Sequence, residues 1–385
     1  MSLKRNITIG SLHGFFAMFL VVVPILVPYW SSLGLSMSEI LWIQAIFGVS
    51  VAIFEFPTGY VADIFGRKIS VVIGSFINGI GFSVLPFATD FWHLVGFEVL
   101  IAFGSSLISG ADLALVYDSI EDEKTRLKEL GKVNQWGLVG EAVASILTSL
   151  LVIFSFSHVL WAQAFFGWIP FIISLFFIEP NIHNAVAQPQ LVSVKRVFSH
   201  LLTSSHTLLI LLINSVIWGL SSYCVVWLLQ AHWKISGVPL SMFGVVWCSI
   251  MLIAAASSRL THEFEKRIGI KNLLLISAVL PCIGYFCMSF SVGIVGLLAS
   301  ILFYISRGIS TVVYNNLFNS YIPSDIRASA NSIRSLIFRL SYGVIGPITG
   351  ISIDQFGLQR TLGGVGLVFS ILIPTLLFKL NKAIK

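Results

Sequence analysis

The sequence predicts an all-α membrane protein: twelve transmembrane helices in two pseudo-symmetric six-helix bundles. Three observations carry that prediction. Of 385 residues, 56% are hydrophobic and only 10% are charged, too few to clothe a soluble protein of this size. Apolar runs of about twenty residues recur along the chain, the length that crosses the hydrocarbon core as a helix. They lack the alternation of a transmembrane barrel, and a helix satisfies its own backbone hydrogen bonds in lipid. Allowing about 20 residues per span plus a loop, the chain has room for twelve.

The first span is expected at 8–30, after Lys4 and Arg5. That run is too long for a signal-peptide core and lacks a convincing cleavage site. Spans at 38–63, 69–88, 92–118, 133–156 and 158–178 complete an N-terminal bundle, residues 1–180. Residues 181–205, the longest polar stretch between spans, form a cytoplasmic linker; within it 194–198 reads as a surface amphipathic helix or as solvated chain. Spans at 206–231, 240–258, 272–290, 293–321, 329–354 and 362–380 build the C-terminal bundle, residues 206–385. A faint repeat pairs Val116-Tyr117-Asp118 with Val313-Tyr314-Asn315 and, at the same offset, Asn134 with Asn331.

Lysine and arginine divide 19 to 2 between the two sides of these spans. Only Lys234 and Arg360 lie on the sparse side, and Arg307 and Arg339 fall inside spans. The asymmetry places both termini in the cytoplasm. It also accounts for the net charge of +6 without nucleic acid as a partner. The four cysteines all fall inside spans and have neither metal-ligand spacing nor an evident disulfide partner. With no Walker loop and no patterned Ser/His/Asp set, neither an enzyme nor a cofactor is expected.

At the junction of the second and third spans, residues 59–68 read G-x-x-x-D-x-x-G-R-K. This resembles the signature loop of the major facilitator superfamily. The resemblance implies two six-helix halves that rock about a central site. It also implies a latch: a carboxylate, here Asp63, facing the N-terminus of the eleventh helix, and an arginine, here Arg67, pairing with an acid at the end of the fourth, here Asp118. Gly59 and Gly66 would allow close approach and a sharp turn. The plainer reading of Arg67 and Lys68 is a positive-inside anchor. The corresponding loop of the second half, 263–271, keeps only Gly269 and Lys271.

Six ionisable residues are singled out well within spans: Glu55, Glu98, Asp112, Glu141, Arg307 and Arg339. Each costs about 2.5–3.5 kcal/mol at mid-bilayer unless it faces the interior, so they are substrate or proton sites or buried ion pairs that fix packing. Glu98 and Asp112, four helical turns apart, would share a face of the fourth span. Arg307 would bind a substrate carboxylate or phosphate, and Asp112 an amine or a proton; direct pairing of the two is the alternative. Glu55 lies one turn before Gly59 with Pro57 between, a proton site coupled to bending. Glu141 follows Gly140, where the antiporter branch of the family carries Gly-Pro; here Gly346-Pro347 in the eleventh span has that pair instead. Glu98 stands near a position where the family places an arginine. Both departures weaken transfer of the drug–proton exchange mechanism. Asn214, Trp218 and Ser221 recur on one face of the seventh span, and Tyr314 lies two turns from Arg307; these line a pocket or simply pack. His13 is a titratable or a structural histidine.

The expected protein is a secondary active transporter of a small polar or zwitterionic organic solute, proton-coupled, monomeric, and resident in a bacterial inner membrane. Proton-driven export of amphipathic, drug-like compounds is one alternative. A non-transporting receptor or scaffold is another.

Overall fold

The computed structural model describes residues 5–120, 123–180, 197–201, 205–323 and 326–383. Most of the linker expected at 181–205 therefore lies outside the described residues. All regular structure among the described residues is helical. The N-terminal elements are α1 (Arg5–Ala17), α2 (Leu26–Ser32), α3 (Met37–Phe65), α4 (Arg67–Val84), α5 (Phe91–Ile108), α6 (Ala111–Asp118), α7 (Glu123–Leu151), α8 (Phe156–Gly167) and α9 (Ile169–Ser174). Then follow α10 (His206–Ile235), α11 (Leu240–Ile268), α12 (Ile270–Phe290), α13 (Ile294–Ser320), α14 (Arg327–Phe356) and α15 (Leu358–Ala383). Ten segments among the described residues are long and apolar enough to cross a membrane.

Three expected spans are broken. In the first, Pro24 and Pro28 remove backbone donors, and a short 3-10 turn at Val23–Ile25 separates α1 from α2. In the fourth, Gly110 takes φ +79° and ends the run between α5 and α6. The arithmetic that put Glu98 and Asp112 on one face assumed an unbroken helix, so it does not carry across Gly110. In the sixth, Pro170 sits in the first turn of α9. α7 and α11 run ten residues past their expected bounds. α7 begins at Glu123 and α11 continues to Ile268, because a charged segment outside lipid continues a helix at no desolvation cost. The degenerate second-half loop is thus largely helix, turning only at Gly269.

The chain divides into two compact units. One contains residues 1–35, 43–187 and 240–248; the other contains 36–42, 188–239 and 249–385. In the first unit, α1 packs on α7 and α4 on α5. The α4–α5 crossing depends on two glycines: a Cβ on Gly74 would lie 2.6 Å from the Gly104 carbonyl oxygen, and one on Gly104 2.7 Å from that of Gly74. Ile9, Val71, Ala111, Leu115 and Phe177 close an apolar cluster at the end of this unit that holds the signature loop.

In the second unit, α12 packs between α13 and α15, and α10 packs on both α13 and α15. Polar side chains tie these helices together where lipid offers no partner. Tyr285 Oη donates to the Ser221 carbonyl at 2.6 Å, Trp233 Nε1 to Ser300 Oγ at 2.9 Å, and Ser306 Oγ to the Ser277 carbonyl at 2.7 Å.

Candidate functional site

Two places gather polar chemistry, one in each unit. In the first unit the signature loop is held from three directions. Gly66 adopts φ +96° and caps α4. Arg67, on the first residue of α4, forms an ion pair with Asp118 at the end of α6 and donates from Nη1 to the Ala114 carbonyl at 2.8 Å. This is the arginine–acid pair that the resemblance implies. A third partner was not anticipated: Glu179 accepts from the backbone N–H of Arg67 at 3.0 Å and of Lys68 at 2.7 Å. A carboxylate there answers both the unpaired amides and the dipole of α4. Lys68 thus contributes through its backbone. Asn6, fully buried, bridges the same end: it donates to Ser119 Oγ and the Ile178 carbonyl and accepts from the Ile178 N–H. A Cβ on Gly59 would meet nothing within 4 Å among the described residues, so no close approach at Gly59 is seen among them. The side chain of Asp63 lies outside the described residues.

The in-span acids of this unit have local partners. Glu98, 6% exposed, accepts from Gln44 Nε2 at 3.1 Å. Asp112 accepts from its neighbour's amide, Leu113 N, at 2.6 Å. Glu141 accepts from Trp247 Nε1 at 3.2 Å. Glu55 is half-buried on α3. His13 is buried, 3.0 Å from Ser75 Oγ and edge-on to Phe177, which is the geometry of a structural histidine.

In the second unit a cavity of about 340 Å³ lies among α10, α13 and α14. Trp218, Tyr314, Asn315, Asn331 and Arg334 line it, with Ser215 and Ser310. Trp218 and Tyr314 meet here, their rings 5.3 Å apart. Both are buried, and neither Trp218 Nε1 nor Tyr314 Oη has a hydrogen-bond partner among the described residues. The cation of the cavity is Arg334, which donates to Asn315 Oδ1 at 2.6 Å and lies over the Phe318 ring at 4.8 Å. Arg334, one of the 19 charges of the lysine- and arginine-rich side in the sequence count, stands two turns into α14.

Other expected residues lie elsewhere. Arg307 is exposed, near the Tyr304 ring at 5.8 Å, and does not line this cavity. Arg339 donates to Ser335 Oγ, one turn away on its own helix. Asn214 donates to the Ile210 and Leu376 carbonyls, tying α10 to α15. The expected shared face of Asn214, Trp218 and Ser221 is therefore divided between packing and cavity. The repeat is also uneven: Tyr117 is 44% exposed where its counterpart Tyr314 is 4% exposed.

Residues 7–347 match the family model for the Major Facilitator Superfamily. The chain belongs to the major facilitator superfamily. That family is one of multi-pass membrane transporters, not of enzymes. Along almost its whole length the chain is similar to the multi-drug resistance efflux pump PmrA homolog of Lactococcus lactis, 23% identical over 92% of this chain and 89% of that one. Shorter matches join it to an uncharacterized transporter of Buchnera aphidicola, 29% identical over 44% of this chain, and to the methyl viologen resistance protein SmvA of Salmonella typhimurium, 28% identical over 37%. The chain covers less than half the length of these two relatives, 42% and 28% respectively. Among solved structures, the nucleoside transporter NupG aligns over 100% of both chains with TM-score 0.78 and 18% identity. The D-xylose–proton symporter aligns over 96% of both with TM-score 0.76 and 14% identity. At such identities the likeness is one of fold.

Proposed function

We propose that this superfamily member is a secondary active transporter of a small polar organic solute bearing an anionic group, zwitterions included. The observation that carries this reading is the cavity around Arg334. A guanidinium with donors to spare, two unpartnered aromatic donors and two amide side chains enclose a volume typical of small-ligand sites. A carboxylate or phosphate on Arg334 would leave a flat or hydroxylated body for Trp218 and Tyr314.

The two halves, 1–180 and 206–385, would rock about the linker at 181–205. The Arg67–Asp118 pair, the Glu179 cap and Asp63 would belong to the cytoplasmic latch. Glu98, Glu55 and Asp112 are the proton-binding candidates, as carboxyl groups within the spans. Arg307 remains a proposal for contact with solute outside the Arg334 cavity. Both termini would be cytoplasmic, in a bacterial inner membrane, in a monomer. A second reading, export of amphipathic compounds, is favoured by the name of the L. lactis relative.

The test uses purified protein in liposomes that contain a pH-sensitive dye, challenged with amino acids, organic acids, sugars, polyamines and hydrophobic cations. Internal pH changes with amino acids or organic acids are the expected result, and the sign separates symport from antiport. A response confined to hydrophobic cations would replace this reading with the exporter.

A further inference from the structure

A second cavity of the C-terminal unit, about 530 Å³, opens between α14 and α15, with Ile217 of α10 also lining it. Ile345, Ile348, Val365, Val368 and Leu372 supply its walls. The hydroxyls beside them are satisfied along their own helices: Thr349 Oγ1 donates to the Ile345 carbonyl, Ser352 Oγ to that of Ile348, and Thr361 Oγ1 to that of Gly357. The recess therefore presents hydrocarbon. Ile348 and Val368 are 57% and 52% exposed on spans that cross lipid, so acyl chains are what cover them.

At one end of the recess stands Arg360. It is exposed, and among the described residues its guanidinium has no hydrogen-bond or ion-pair partner. A planar cation at the head of an apolar recess is complementary to a phosphate with a chain attached. We propose that this recess binds an anionic phospholipid, its acyl chain between α14 and α15 and its phosphate on Arg360. The site is separate from the Arg334 cavity and does not depend on the transported solute.

Native mass spectrometry of the full chain tests this. The protein would be released from detergent after addition of phosphatidylglycerol or phosphatidylcholine of equal chain length. Phosphatidylglycerol should be retained about fivefold better, the effect of one basic residue near an anionic headgroup. Arg360→Gln should bring it to the phosphatidylcholine level, and Arg360→Lys should restore part of the difference. Gly364 lines the recess, and a Cβ there meets nothing within 4 Å. Gly364→Leu should therefore fill the recess and lower retention of both lipids, at an unchanged melting temperature. Equal retention of the two lipids by the parent protein would overturn the proposal. So would phosphatidylglycerol retention that survives both Arg360→Gln and Gly364→Leu, displacement by inorganic phosphate alone, or a dimer that Gly364→Leu abolishes.

Discussion

Arg334 on α14 donates from Nη2 to Asn315 Oδ1 on α13 at 2.6 Å. That bond fixes the guanidinium over Phe318 and uses one of its five donors. An arginine aimed into a polar cavity by an uncharged acceptor keeps its full positive charge for a ligand. Arg334→Ala should weaken binding of the anionic solute by about 1.5–3 kcal/mol, a rise in Kd of about ten- to 150-fold by calorimetry. Arg334→Lys should recover only part, because an ammonium lacks the planar fork. An unchanged Kd in the alanine variant would return Arg334 to a structural role.

Trp218 and Tyr314 offer a different signature. Their buried donors have no partner among the described residues, so Tyr314→Phe removes a desolvated hydroxyl. Its melting temperature should stay level or rise slightly, while solute affinity falls by about 1 kcal/mol. A clear drop in melting temperature without solute would mean that the hydroxyl has a structural partner after all.

At the signature loop, two substitutions separate packing from gating. Glu179→Ala removes the cap from α4 and should lower stability by about 1 kcal/mol, seen as a small fall in melting temperature. Asp118→Asn and, separately, Asp63→Asn should leave folding nearly intact and slow transport in liposomes. Normal rates in both would remove the latch from the mechanism.

Glu98 is buried against Gln44, and no cation bonds to it among the described residues. Glu98→Gln should preserve solute binding and reduce the dependence of uptake on an imposed proton gradient. If gradient-driven uptake is intact, proton coupling resides on another carboxyl, with Glu55 and Asp112 next to be tested.

The α4–α5 crossing has no room for a side chain. Gly104→Val places branched carbons where the Gly74 carbonyl now sits, a cost of several kcal/mol that exceeds ordinary overpacking. Folded protein should not be recoverable after detergent extraction, whereas Gly364→Val, in open space, should be recoverable.

The membrane, the helical class and the signature loop were legible in the chain because each is a one-dimensional constraint. Hydrocarbon demands a long apolar run, and the loop carries its glycines, acid and base at fixed spacing. Arg67 and Asp118 could be paired in advance only through the resemblance to the family's loop. What the tertiary structure decided was the use of each in-span polar group. Gly110 separated Glu98 from Asp112. Asn214 turned to a neighbouring backbone, while Trp218, one turn on, met Tyr314. Arg334, which reads in sequence as one more cytoplasmic charge, was turned inward by Asn315. A helical position specifies only an angle and a depth; whether a side chain there meets lipid, backbone or cavity depends on how closely the neighbouring helices approach, and that is set by contacts distant in sequence.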